Sequence, residues 1–286
     1  MAVRSVSSLL LDELLSQILY KMRKRAAQKH LFSGIVVPID DLIGRRVIAT
    51  GLFEATQIDG ITRLLEHPET IGLSDRPKGI FVDVGANIGL FTIAFSRFFE
   101  RTLAIEANPS TFSILNTNAR LRALKDVHCI CAAVSNTTQT TNLFVPTDHN
   151  LGHATLHPAE GRSSASVQVA CRLLDDILDE NAKDAPVGLI KIDVEGHEPS
   201  VIEGARRILL RDHPVVLFEA LTEDDAKKCA VLLFDCGYRR FFRFRRGKPG
   251  RPISNIVTAL LRGVDVFPEE MELQALHNAP LLCATP

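Results

Sequence analysis

The stretch Phe81-Val82-Asp83-Val84-Gly85-Ala86-Asn87-Ile88-Gly89-Leu90-Phe91-Thr92 decides how the rest of the chain is read. It opens as an apolar, β-branched run, the pattern of a buried strand. Gly85 and Gly89 then place backbone without side-chain bulk at a strand-to-helix turn, where a ligand can come close to the main chain. Residues 91–99 continue as a helix. A dinucleotide fingerprint needs glycines at relative positions one, three and six. Counted from Gly85, this chain has Asn87 and Leu90 at the latter two, which argues against NAD.

Outward from this turn, strand-sized apolar runs alternate with helical patterns from residue 79 onward, the sign of a parallel sheet covered on both faces. The predicted strands are 80–84, 102–106, 127–134, 187–193 and 214–219. Asn108-Pro109 supplies an N-cap and a first-turn proline for a helix through Leu121. Pro199 can start a second helix, and Thr222 with Asp225 can cap a third that Gly237 ends. Two late runs, 238–245 and 253–261, are predicted to pair as a hairpin on the sheet edge. Upstream, Leu11, Leu14, Leu15, Ile18 and Met22 recur at helical spacing, so residues 7–27 read as an amphipathic helix with a basic end. After Gly34 come short apolar runs with turn residues, at 47–50 and 51–54, then a helix-like stretch to Leu65. The expected division is residues 1–40 as helix and linker, 41–262 as the main domain and 263–286 as a tail.

Of 286 residues, 46% are hydrophobic and 23% charged, enough apolar content to fill one sizeable core. A net charge of −1 gives no general attraction for phosphate backbones, so a nucleic-acid role would need a local patch. The six cysteines form no CxxC pair and point to a reducing, cytoplasmic compartment. No apolar run approaches the roughly 18 residues of a membrane span. The N-terminal helix is expected to pack on the domain or a second subunit, which makes a homo-oligomer an open alternative. A peripheral membrane contact is the other.

In an open parallel sheet, ligands bind beyond the carboxyl ends of the strands, and here those ends carry Asp83, Glu106, Asp193 and Glu219. Glu106 closes the second strand, where an acid can accept hydrogen bonds from both hydroxyls of a ribose. FVDVGANIGLFT (81–92), AIEANPSTFSILNTN (104–118), AAVS (132–135), LLDDIL (173–178), IKIDVEGHEPSVIEGA (190–205) and PVVLFEA (214–220) follow in order. On these strings the chain resembles the FkbM family of methyltransferases, S-adenosylmethionine-dependent enzymes that mostly O-methylate sugars and secondary metabolites. The resemblance runs from about residue 41 to about 261. It implies an α/β fold: a doubly wound, mostly parallel Rossmann-like sheet with a C-terminal antiparallel edge hairpin and an N-terminal helical extension. It also implies that Asp83, Gly85, Ala86, Asn87 and Gly89 line the methionine and ribose side of S-adenosylmethionine, that Glu106 holds the ribose and that Ala133 borders the adenine. Asn87 stands where the family loop has its middle glycine. His153, in the loop Asn150-Leu151-Gly152-His153-Ala154, departs from the small residues usual there and is expected, with Asn150 and Glu219, near the acceptor.

Methyl transfer to an alcohol needs an acceptor oxygen held in line and a group to take its proton. His197 is the expected base, with Asp193 orienting the acceptor or the donor's amino group and Glu195 orienting the imidazole. No metal-specific spacing is present, and none is expected. Arg239, Arg240, Arg243, Arg245, Arg246, Lys248 and Arg251 interleave with Phe241, Phe242 and Phe244. Strand alternation accounts for this as a half-buried edge strand, and nucleic acid is not the expected partner. The expected activity is O-methylation of a small-molecule or glycan hydroxyl. The alternatives are an RNA-modifying methyltransferase and a non-catalytic S-adenosylmethionine-binding module.

Overall fold

The structure is a computed structural model that describes Gln17, Phe32 and residues 34–51, 53–147, 151–157, 163–182, 185–246, 266–271 and 281–286. The predicted helix at 7–27, apart from Gln17, and the run 253–261 lie outside the described residues, as do Asn150, Lys248 and Arg251. A mixed α/β architecture is built on an eight-stranded sheet. Its strands are β1 (Ile80–Val84), β2 (Arg101–Glu106), β3 (Val127–Cys131), β7 (Val187–Ile192), β8 (Val215–Phe218), β9 (Arg240–Arg246), β10 (Val266–Met271) and β11 (Leu282–Thr285), in the order β10-β9-β11-β8-β7-β1-β2-β3. A second sheet orders β4 (Ala133–Val134), β6 (Ser164–Arg172) and β5 (Gln139–Pro146).

Pairing of β1 with β2 and β7, of β2 with β3, and of β7 with β8 is parallel. The chain steps outward from β1 through β2 to β3, then returns on the other side of β1 as β7. Between β1 and β7 lies the point where strand order reverses, the place at which such sheets open a crevice. Residues of β1 alternate between two covered faces. Ile80, Val82 and Val84 pack with Val201, Ile202 and Leu174, while Phe81 packs with Ile61, Leu64 and Phe95.

Four predicted strands stand nearly as read. The run 127–134 does not: the chain leaves the main sheet after Cys131, and Ala133–Val134 pairs with β6 instead. Residues 47–50 belong to the helix Leu42–Thr50, which Asp41 caps through Ile43 N (2.9 Å) and which ends at Gly51 in the left-handed conformation, φ 73°. The antiparallel edge hairpin is present, but the strand facing β9 is Val266–Met271. Residues 281–286, expected in a tail, contribute β11, which lies inside the sheet antiparallel to both β8 and β9. β9 is therefore one strand in from the edge, and both Phe241 and Phe242 are buried.

Candidate active site

A cavity opens at the switch point between β1 and β7, lined on its floor by Gly85, Ala86, Asn87, Glu106, Lys191 and Asp193. Gly85 has φ 74°, and a Cβ on it would stand 1.8 Å from the carbonyl oxygen of Asp193. The two strand ends touch backbone to backbone there, which only glycine permits. Gly85 N and Ala86 N both donate to Ile105 O at 2.9 Å. Asn87 takes the left-handed conformation, φ 52°, which asparagine tolerates better than most residues. Its N–H donates to Glu106 Oε2 at 2.9 Å, while Asn108 N donates to Oε1 at 2.8 Å. Burial outweighs these two bonds and pushes the Glu106 carboxyl up to about 7. The amide oxygen of Asn87 is buried and has no hydrogen-bond partner, so it is free to meet a ligand's donor.

Asp83 lies beneath this loop and does not line the cavity. Fully buried, it accepts from Thr92 Oγ1 at 2.6 Å and so ties β1 to the helix Leu90–Phe95. Its other oxygen is 3.7 Å from Lys191 Nζ. Lys191, also buried, donates to Asp193 Oδ2 at 3.0 Å and stands 4.6 Å over the ring of Phe91. Burial alone would lower its pKa, but Asp193, Asp83 and Glu54 outweigh it and hold the ammonium above its ordinary range. The sequence carried a signal for this residue: a lysine inside a buried parallel strand survives only if paired.

Glu54 and Glu219 complete the acidic side. Glu219 follows β8, as expected from strand-end logic. Glu54 was not foreseen, because it comes from the lead-in segment, at the start of the helix Ala55–Glu66 and with φ 50°. Burial, then Asp193, pushes Glu54 up to about 7. Burial, then Asp193 and Glu54, raises Glu219 to about 9.

His197 also lines the cavity, but Glu195 is not what orients it. Its Nε2 is 2.9 Å from Ser135 Oγ, and its Nδ1 is 3.2 Å from His157 Nε2, so both ring nitrogens are engaged. Burial, reinforced by His157, lowers it to about 4 and keeps the imidazole neutral near pH 7. Glu195 instead approaches His153, Oε1 to Nε2 3.9 Å. Glu198, unassigned from sequence, fastens this turn by accepting from Val194 N at 3.0 Å and Gly196 N at 3.3 Å. Ala133, buried at the start of β4, forms the far wall with Ala132, Val134 and Leu143, and His153 stands on the rim with Gly152 and Ala154.

The described part of the basic stretch serves the fold. Arg240 holds Glu270 with two bonds, 2.7 and 2.8 Å, and donates to Ile71 O at 3.0 Å. Arg243 pairs with Glu269 at 2.6 Å, and Arg239 stacks 4.1 Å over Phe234.

Two curated relatives are methyltransferases. Methyltransferase 1 of Beauveria bassiana (strain ARSEF 2860) is 31% identical over 144 residues, covering 43% of this chain and 57% of the relative. Methyltransferase sdnD of Sordaria araneosa is 32% identical over 165 residues, covering 46% and 62%. The chain thus spans less than two thirds of either relative's length. Among solved structures, the methyltransferase FkbM of Methylobacillus flagellatus KT is similar with a TM-score of 0.43 and 18% identity, covering 92% of this chain and 59% of that one. The methyltransferase FkbM domain family matches residues 83–240, more than half of the 286 residues, from the last two residues of β1 to the first of β9. The chain belongs to the FkbM methyltransferase family.

Proposed function

We propose that the chain transfers a methyl group from S-adenosylmethionine to a hydroxyl of a sugar, glycan or secondary metabolite. The observation that carries the cofactor half is the pairing of Glu106 with the Gly85–Gly89 loop across one cavity. Each Glu106 oxygen already takes a backbone N–H yet keeps a lone pair for a ribose hydroxyl. Asn87 offers an unused buried oxygen beside it. Gly85 and Ala86 keep side-chain bulk small on the cavity floor, whereas Gly89 turns away from it towards Leu115 and closes the turn. Ala133 would border the adenine, and Asp193 would face the methionine end. When bound, S-adenosylmethionine supplies an electrophilic methyl group on a sulfonium.

The chain's own part is to orient the acceptor and receive its proton. Orientation is worth on the order of 7–11 kcal/mol in well-aligned systems, and a positioned base adds about 10²–10⁴-fold. His197, held neutral, is the proposed proton acceptor, with Ser135 and His157 fixing its ring in place of Glu195. Glu195, His153 and Asn150 are assigned to the acceptor side, and Glu219, next to Asp193, to the boundary between acceptor and donor. The internal pairing of Arg239, Arg240 and Arg243 favours a small acceptor over an RNA strand.

Titration calorimetry with S-adenosylhomocysteine tests the cofactor half, and a labelled-methyl screen of hydroxylated sugars and polyketide-like alcohols tests the acceptor. Micromolar binding that weakens by about 10–100-fold in Glu106→Ala is expected, given roughly 1.5–3 kcal/mol for a hydrogen bond to a charged group. If S-adenosylhomocysteine does not bind, the proposal fails.

A further inference from the structure

Three carboxyl groups reach the cavity from three separate elements: Glu54 from the start of the helix Ala55–Glu66, Asp193 from the end of β7 and Glu219 from the end of β8. Among the described residues that line the cavity, Lys191 is the one lysine or arginine, and it is committed to Asp193 and Asp83. Behind it, Asp83 Oδ1 is buried 3.7 Å from Lys191 and without a hydrogen-bond donor, so among the described residues carboxyl groups outnumber cations in this wall. Glu106, Glu195, His153 and His197 line the same cavity, and none of them adds a fixed positive charge. Glu54 occupies a helix N-cap position, yet its side chain caps nothing. Crowded together and half-buried, Glu54 and Glu219 hold protons near neutrality, at about 7 and about 9. A positive ligand charge placed among them would favour the ionised forms and expel a proton to solvent.

We propose that Glu54 and Glu219 are donor-selecting residues: with Asp193 they form a wall that takes up a sulfonium in exchange for a proton, and so favour the cationic donor over its neutral thioether product. This rests on the S-adenosylmethionine assignment above. S-Adenosylmethionine and S-adenosylhomocysteine differ at the sulfur by a methyl group and one positive charge. The wall therefore holds the donor before transfer and loosens on the product once the charge is gone. Affinity for the donor rises with pH, by up to about tenfold per pH unit for each proton released, while the empty site still holds that proton. It levels off above the carboxyl's own range.

The test is calorimetric titration of the full chain with S-adenosylmethionine and with S-adenosylhomocysteine near pH 7, in phosphate and in Tris, whose different ionisation heats count the protons released. Glu54→Gln and Glu219→Gln keep side-chain shape while removing the charge. Each is expected to weaken the donor about tenfold, as expected for loss of a nearby opposite charge, to leave the product within about threefold, and to reduce proton release with the donor. Normal product binding also reports that the variant is folded. Should both variants keep the wild-type donor-to-product ratio and proton count, this proposal is overturned while the cofactor assignment stands. Failure of both ligands to bind the wild type would overturn the two together.

Discussion

Gly85 shows how a single position fixes the site. Its φ of 74° disfavours any side chain, and the carbonyl of Asp193 fills the space a methyl group would need. Left-handed strain and overpacking each cost about 1–3 kcal/mol, so Gly85→Ala should lose about 3 kcal/mol or more in urea unfolding and bind S-adenosylhomocysteine poorly. A variant with wild-type stability would mean that the strand ends can part. His197 is a different case, because its depressed pKa of about 4 makes it a weak base and a base is most effective near the working pH. His197→Ala should lower turnover by no more than about 10²-fold with product affinity unchanged; full turnover would remove the base assignment. Residues at strand ends, Glu106 and Asp193 among them, were legible because strand position alone places them at the crevice. Lys191 and Glu54 were not read. The first faces inward along a strand taken as apolar, and the second reaches the site only through tertiary packing of the lead-in.

At the level of elements, β11 carries more weight than its four residues suggest. Leu282, Cys283 and Ala284 are all buried, and the strand hydrogen-bonds to a neighbour on each side. Leu282→Ala should cost about 2–5 kcal/mol, because the cavity opens where the two flanking strands leave little room to collapse. Chemical denaturation would show it as a lower midpoint; an unchanged midpoint would mean that β11 is dispensable. A run this short, at the end of the chain, gave no periodicity to distinguish strand from coil. β1, β2, β7 and β8 were legible for the opposite reason, being β-branched runs buried on both faces and bounded by turn residues. The helix Leu42–Thr50 had usable signals in Asp41 and Gly51, a cap at either end, which the run 47–50 obscured. In β6, Val167, Val169 and Cys171 alternate as a half-buried strand should, so the second sheet was also open to recognition.

Across the whole molecule, the acidic cavity makes stability depend on pH. Glu54 and Glu106 sit at about 7 and Glu219 at about 9, against 4.5 for an exposed glutamate. A carboxyl raised in the folded state contributes stability in full below its unfolded value, and that contribution disappears as pH climbs through the folded value. His197 acts in the other direction: lowered from 6.5 to about 4, it contributes above pH 6.5 and loses that contribution as pH falls towards 4. The raised Lys191 loses its contribution only in strong alkali. Between pH 4.5 and 6.5 the two effects oppose each other, whereas above 6.5 only the carboxyls of this group still titrate. The ligand-free protein should therefore melt progressively lower from about pH 6.5 to 9, at roughly 2–4 °C per kcal/mol lost. Calorimetric melts across that range would check this, and a flat or rising melting temperature would contradict it. Glu54→Gln and Glu219→Gln should each flatten the decline, because a neutral amide has no proton to lose. A cationic ligand should oppose the same decline, since it compensates the charge that ionisation leaves in the cavity, and its stabilising effect should therefore grow with pH.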